Sequence, residues 1–298
     1  VAVVDRVRGF LEQYAREPGW RDADGGEAPS LPVTPAAAPP ALEHLVALFG
    51  LSDFERDLLV LCAGAELDAR FAALCRQAGS GSGPTFSLAL AALPGAYWSA
   101  LTPGAPLRYW KMIEVGPGDA LVTAPLRIDE RILHYLAGVS YTDERLQGLV
   151  QPVSPVSHEL PPAQRAAAER VAALWVPDET GTADTTLPAV QLVGEEDAGL
   201  VEVAAAACRL AGIGLRLMRA ADIPAAATDR EHLLRLWERE AALERSALLL
   251  AIDDRDQPEN LRATAAFVER VRSALLLAGR EPLRLPGRTL PRFDIHKP

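Results

Sequence analysis

Residues 194–201, Gly194-Glu195-Glu196-Asp197-Ala198-Gly199-Leu200-Val201, place two glycines five positions apart between an apolar run and an amphipathic one. A phosphate-binding loop has the pattern G-x-x-x-x-G-K-[ST] in that setting. Its glycines let backbone N–H groups wrap the phosphates, its lysine neutralises their charge and its hydroxyl holds Mg²⁺. Gly194 and Gly199 match, but Leu200 stands at the lysine position and Val201 at the hydroxyl position. Three carboxylates also crowd the loop. Each like-charge approach at about 4 Å costs on the order of 1 kcal/mol even in water, against a favourable helix N-terminal dipole. ATP and Mg²⁺ are therefore expected to bind weakly or not at all. The alternative reading of the loop is a plain strand-to-helix turn.

Two other groups could do chemistry nearby. The apolar run 248–252 ends in Asp253 and Asp254. That is how a Mg²⁺-binding acid, Asp253, and a water-activating one, Asp254, follow a buried strand in a phosphoryl-transfer site, although Asp is one methylene shorter than the usual Glu. The alternative is an acidic surface turn. Arg288 and Arg292 lie just before a last short strand, where a cation could reach a neighbouring subunit's nucleotide and stabilise transition-state charge; otherwise they are two solvated arginines on a proline-stiffened loop. Arg209, the arginine nearest the loop on its own helix, sits about two turns too far along to replace the lysine.

The elements that must carry these groups alternate. Strands expected at 189–193, 214–218, 248–252, 274–278 and 293–295, the third of them fully apolar, are separated by helical patterns at 200–211, 229–244 and 259–272. Continuous apolar strands between amphipathic helices indicate a parallel sheet covered on both faces. A further helix is expected over 163–175. The preceding region is different: helices at 3–14 and 41–49, then 52–62 ending at Gly64, then 68–77 and 84–93. Ser52 and Glu55 have the spacing of a capping box. Strands are expected at 107–115 and 120–128 around Gly116-Pro117-Gly118-Asp119, and Asp129 caps a helix through Leu136. Helices followed by a hairpin outline a winged helix. The chain thus divides into an N-terminal helix and Pro-rich linker (1–40), a winged-helix-like domain (41–150), a linker and connecting helix (151–187) and an α/β core (188–298).

Composition narrows the function. The 298 residues carry 40 acidic and 30 basic side chains, a net charge of −10, which argues against a phosphate-backbone partner. Residues 41–150 hold 12 acids and 8 bases, a net of −4. Arg108, Tyr109, Trp110 and Lys111 on the first expected wing strand therefore read as core or protein-contact residues rather than a nucleic-acid face. No apolar run of membrane length and no secretory signal occurs. Cys62, Cys75 and Cys208 lack metal or redox spacing and read as buried thiols of a cytoplasmic protein. The five histidines are scattered. The first residue, Val1, suggests a processed chain.

Together these residues resemble a bacterial AAA+ ATPase family encoded with contractile injection systems. The likeness runs through Phe49-Gly50-Leu51-Ser52-Asp53-Phe54-Glu55-Arg56-Asp57-Leu58-Leu59, Ser99-Ala100-Leu101-Thr102-Pro103, Pro125-Leu126-Arg127-Ile128-Asp129-Glu130-Arg131-Ile132-Leu133, Leu236-Trp237-Glu238-Arg239-Glu240-Ala241-Ala242-Leu243 and Gly279-Arg280-Glu281-Pro282-Leu283. The resemblance implies a winged-helix N-terminal domain followed by a P-loop NTPase-like AAA+ core. Its ring neighbours and injection-system components would be the protein partners. The sequence departs from an active module in its loop, in its Asp-Asp pair and in lacking a helical lid before Pro298, so a complete second module is expected in a longer protein. The expectation is a partner-binding module of ATPase ancestry with an impaired site. A working ATPase with a variant loop and a winged-helix DNA-binding regulator stand as alternatives.

Overall fold

The computed structural model describes residues 2–16, 40–80, 83–154, 159–175, 187–195, 197–285 and 287–296. The expected linker through residue 39 and the polar stretch 177–186 lie outside them. The chain forms two compact units, Val1–Tyr141 and Thr142–Pro298.

In the first unit, α1 (Ala2–Ala15) and α2 (Pro40–Phe49) precede α3 (Asp53–Leu67). Ser52 caps α3 as expected: its hydroxyl accepts from Glu55 N–H, while the Glu55 carboxylate accepts from Ser52 N–H at 3.0 Å. Gly64 does not end this helix. A Cβ there would lie 3.1 Å from the Phe71 ring, so the glycine serves close packing, and α3 stops only where Asp68 caps the next helix. α4 (Ala69–Cys75) runs into a π-helical turn, and α5 (Phe86–Ala92) is capped by Thr85.

The hairpin is shorter than its sequence pattern. Residues 106–109 form a helical turn, α6 (Pro106–Tyr109), because Pro106 presets the first helical position. Lys111 then takes a positive φ of 54°, which ends any extended run. Only β1 (Ile113–Val115) and β2 (Leu126–Ile128) pair, antiparallel, with Glu114 opposite Arg127. α7 (Glu130–Leu136) follows Asp129, whose side chain makes no capping bond.

The second unit begins with a 3-10 turn at 144–146 and the two-residue strand β3 (Gln151–Pro152). Part of the stretch expected to be linker is thus built into the sheet. α8 (Pro162–Ala173) leads to β4 (Ala189–Val193), α9 (Asp197–Leu210), β5 (Gly214–Arg219), α10 (Ala227–Glu244), β6 (Ser246–Ala251), α11 (Pro258–Val268), β7 (Leu275–Gly279) and β8 (Arg292–Asp294). The sheet order is β3-β5-β6-β7-β4-β8, with β3 antiparallel and the other five parallel. Strand alternation sorts the core into two layers. Val190, Leu192, Leu249 and Leu276 pack with α8 and α9, while Leu248, Leu250, Leu275 and Leu277 pack with α10 and α11. All five residues of β4 and of β7 are buried, which explains their largely apolar runs; Gln191, the polar member of β4, is satisfied by the Leu283 backbone.

A buried ion pair fastens the strap 142–153 to this unit. Arg239 of α10 is fully buried and binds Asp143, itself 2 % exposed. Asp143 also accepts from the Arg145 backbone at 2.8 Å and from its guanidinium at 2.7 and 3.0 Å.

Candidate functional site

β4 leaves the sheet between β7 and β8, and its crossover to β5 runs the opposite way to the steps that follow. The ends of these strands therefore form a topological switch point, where α/β sheets open a crevice beyond their carboxyl ends. A cleft of about 360 Å³ lies there, lined by residues that include Gly194 and Glu195 after β4, Arg280 after β7, Asp294 to His296 of the last strand, and Gln164 from α8. A second cleft of about 190 Å³ is lined by Ile252 to Arg255 after β6 and again by Arg280. Because β7 separates β4 from β6, the glycine loop and the acid pair stand about 10 Å apart, two strand spacings.

The local geometry differs from a phosphate cradle. α9 starts at Asp197, so Gly199 falls in its first turn and does not wrap a loop. Glu196 and the side chain of Asp197 lie outside the described residues; Glu195 is exposed. The need for Gly194 comes from the chain itself: a Cβ there would stand 2.7 Å from the Ile295 carbonyl oxygen and 3.1 Å from Leu200. Leu200 is 1 % exposed and turns into the apolar layer with Val203, Ala204 and Ala207, and Val201 packs at its margin. Neither can offer a cation or a metal ligand. Gln164, 6 % exposed, closes one wall by donating from its amide to the His296 carbonyl at 3.2 Å.

The acid pair is engaged locally. The Asp253 carboxylate accepts from Arg255 N–H at 2.9 Å, and its own N–H donates to Asp256 at 2.9 Å. Asp254 pairs with Arg280 at 2.9 Å, both about half exposed. Among the described residues, no group of three or more His, Cys, Asp or Glu side chains could hold a metal ion. Leu200 and Val201 thus stand where a phosphate loop carries its lysine and hydroxyl, while Asp253 and Asp254 stay exposed at the second cleft.

The two other arginines part company. Arg288 donates to the carbonyls of Val268 and Val271 at 3.1 and 3.0 Å and of Leu187 at 2.9 Å, tying the end of α11 to the entry of β4. Burial lowers its pKa from the ordinary value, against the opposing charge of Glu238. Arg292 lies exposed on β8, the edge strand, and pairs with Asp294 at 2.8 Å. Arg209 sits in the last turn of α9. Arg280 carries no local signal as a site residue; only the strand order shows that one residue after β7 lines both clefts.

In the first unit Tyr109 and Trp110, with their neighbour Arg108, are used internally. Trp110 packs on Phe49 with ring centroids 5.3 Å apart and meets Tyr109 edge-on at 4.8 Å. Arg108 donates to the Leu101 carbonyl at 2.6 Å. Among the described residues no helix is long and apolar enough to cross a membrane.

Residues 31–150 match the family model described as a winged helix domain, variant. α2 to α7 and the β1–β2 hairpin fall within those residues, α1 precedes them, and their last nine, 142–150, are grouped with the second unit. No curated protein matches the chain.

Proposed function

We propose that the chain is a partner-binding and assembly module: a winged-helix domain joined to an AAA+-type core whose nucleotide cleft no longer handles nucleotide. By the resemblance drawn from its sequence, it would serve assembly or remodelling of a contractile injection system, with ring neighbours and system components as partners. One observation carries the reading. Leu200, at the position of the phosphate-binding lysine, is buried in the apolar layer under the sheet, on a helix that begins before the second glycine. The strand order supports the ancestry, since it brings a glycine turn and an acid pair to the same end of the sheet with one strand between them. Titration of labelled ATP with Mg²⁺ tests it. No saturable binding in the micromolar range and no turnover are expected; micromolar binding with turnover would overturn it.

A second reading, a working ATPase with a variant loop, gains one observation. Arg280 lines the cleft together with Gly194 and Gly199, a place Arg209 does not occupy. Under that reading, Asp253→Ala and Arg280→Ala each abolish turnover. A DNA-binding regulator is tested by a gel shift at low salt, where the acidic first unit is expected to give no retardation.

A further inference from the structure

Among the described residues, β8 is the outermost strand on its side of the sheet and pairs with β4 alone. The hydrogen bonds fix which of its backbone groups are used. Gln191 N–H donates to the Pro291 carbonyl at 2.8 Å, and Ile295 N–H donates to the Val193 carbonyl at 2.7 Å. Successive residues of a strand turn their backbone groups to opposite sides, so Pro291, Phe293 and Ile295 face β4. Arg292 and Asp294 face the other way. The free edge therefore offers two N–H and two C=O groups. Pro291 removes none of them, because its missing N–H lies on the β4 side.

The side chains on this edge complement themselves. Arg292 and Asp294 point to the same face, as residues two apart on a strand do, and both are about half exposed. Phe293 points to the other face, into the apolar layer, with the Arg170 guanidinium 4.8 Å from its ring centre. Opposite charges thus flank a central aromatic residue. Such a strand is matched in charge by a copy of itself running backwards.

We infer that the β8 edge docks a second copy of this chain, added antiparallel about a two-fold axis at Phe293. In that register Arg292 stands opposite Asp294 of the second copy, and Asp294 opposite its Arg292. Each of these pairs exchanges two N–H···O=C bonds, so all four outward backbone groups are used. The cross-strand pairs are of opposite charge and the central pair is aromatic, both stabilising combinations. The ion pair within one strand, 2.8 Å long, is replaced by two between strands. An exposed edge otherwise invites any strand; here a parallel approach, or a slip of two residues, sets like charges together. The contact is isologous and closes at two copies. Asp294 also lines the first cleft, and the pairing brings Arg292 of the second copy to that cleft's lip. The inference goes beyond the proposed role of the chain and does not depend on nucleotide binding.

Sedimentation velocity of the full chain from about 10 µM to about 1 mM tests it, in about 0.1 M salt to screen repulsion between two acidic copies. A contact this small is expected to give a monomer–dimer equilibrium with a Kd of about 0.1 mM. Arg292→Asp and Asp294→Arg are each expected to weaken it about ten-fold or more, although they move the net charge in opposite directions. An equimolar mixture of the two variants is expected to regain the dimer, since each aspartate then faces an arginine. The double reversal, Arg292→Asp with Asp294→Arg, is expected to regain it also. Both side chains are exposed, and circular dichroism verifies the fold of each variant. A monomer throughout the range, growth beyond the dimer, unchanged association in either single variant, or a mixture that stays monomeric overturns the inference.

Discussion

Replacing Asp143 by Ala removes a buried carboxylate partner of Arg239. Both side chains are removed from water, at 3 % and 0 % side-chain exposure, and Asp143 is the carboxylate seated on that guanidinium. Removing one partner of such a pair costs about 3–5 kcal/mol, because the remaining charge stays buried. For a domain of 150–250 residues this lowers the thermal midpoint by about 6–20 °C. The assay is urea and thermal unfolding followed by tryptophan fluorescence and circular dichroism. Asp53→Asn serves as control: its carboxylate is 87 % exposed and is expected to cost less than about 1 kcal/mol. Replacing both partners, Asp143→Leu with Arg239→Met, is expected to recover most of the loss, since a buried pair exchanged for apolar side chains is often neutral. The pH dependence has a definite sign. Burial works to raise the Asp143 pKa, but hydrogen bonds from Arg145 and the charges of Arg239 and Arg145 outweigh it and hold it below the ordinary carboxylate value. Its contribution is therefore complete above about pH 4 and is lost as pH falls through the lowered folded value. A loss below about 1 kcal/mol in Asp143→Ala, or an unchanged acid limb of the stability curve, would refute the reasoning.

Three further outcomes are expected. Gly194→Ala forces a methyl against the Ile295 carbonyl and should destabilise the second unit by about 1–3 kcal/mol, measured by urea unfolding, with no dependence on added ATP. Leu200→Lys restores the missing residue type but not the site: a side chain 1 % exposed must carry charge into an apolar layer, so stability should fall by about 3 kcal/mol or more without gain of ATP binding in calorimetry. Burial pushes the Cys62 thiol up, Cys75 up to about 11 and Cys208 up to about 12, so at pH 8 a disulfide-exchange reagent should label all three only after unfolding.

The second unit was far more legible than the first, for a physical reason. Its strands are buried on both faces, so 248–252 reads as an unbroken apolar run and 189–193 as one interrupted only by Gln191, and the structure places β4 and β6 within a residue or two of them. The wing strands are three residues long, and the aromatic pattern before them belongs to a helical turn that Pro106 starts. Glycines misled in both units. Gly64 reads as a helix stop but packs against the Phe71 ring, and Gly194, read as the start of a phosphate loop, also meets a carbonyl 101 positions away. The roles of Arg280, Arg288 and Arg239 were hidden likewise: each depends on partners set by topology, and no local spacing announces a distant carbonyl or a neighbouring strand.

The sheet order also bears on how the protein is made. β4 is the first parallel strand to leave the ribosome, yet its two neighbours, β7 and β8, are the last. At about 5–20 residues per second, β4 waits on the order of ten seconds for them. Through that interval Ala189, Val190, Leu192 and Val193, all buried in the finished sheet, remain without their lateral partners. A nascent-chain holdase, or early packing of α8 and α9 on one side, has to shelter them. The position that makes β4 the centre of the finished cleft also makes it the part of the unit most open to misassociation during synthesis.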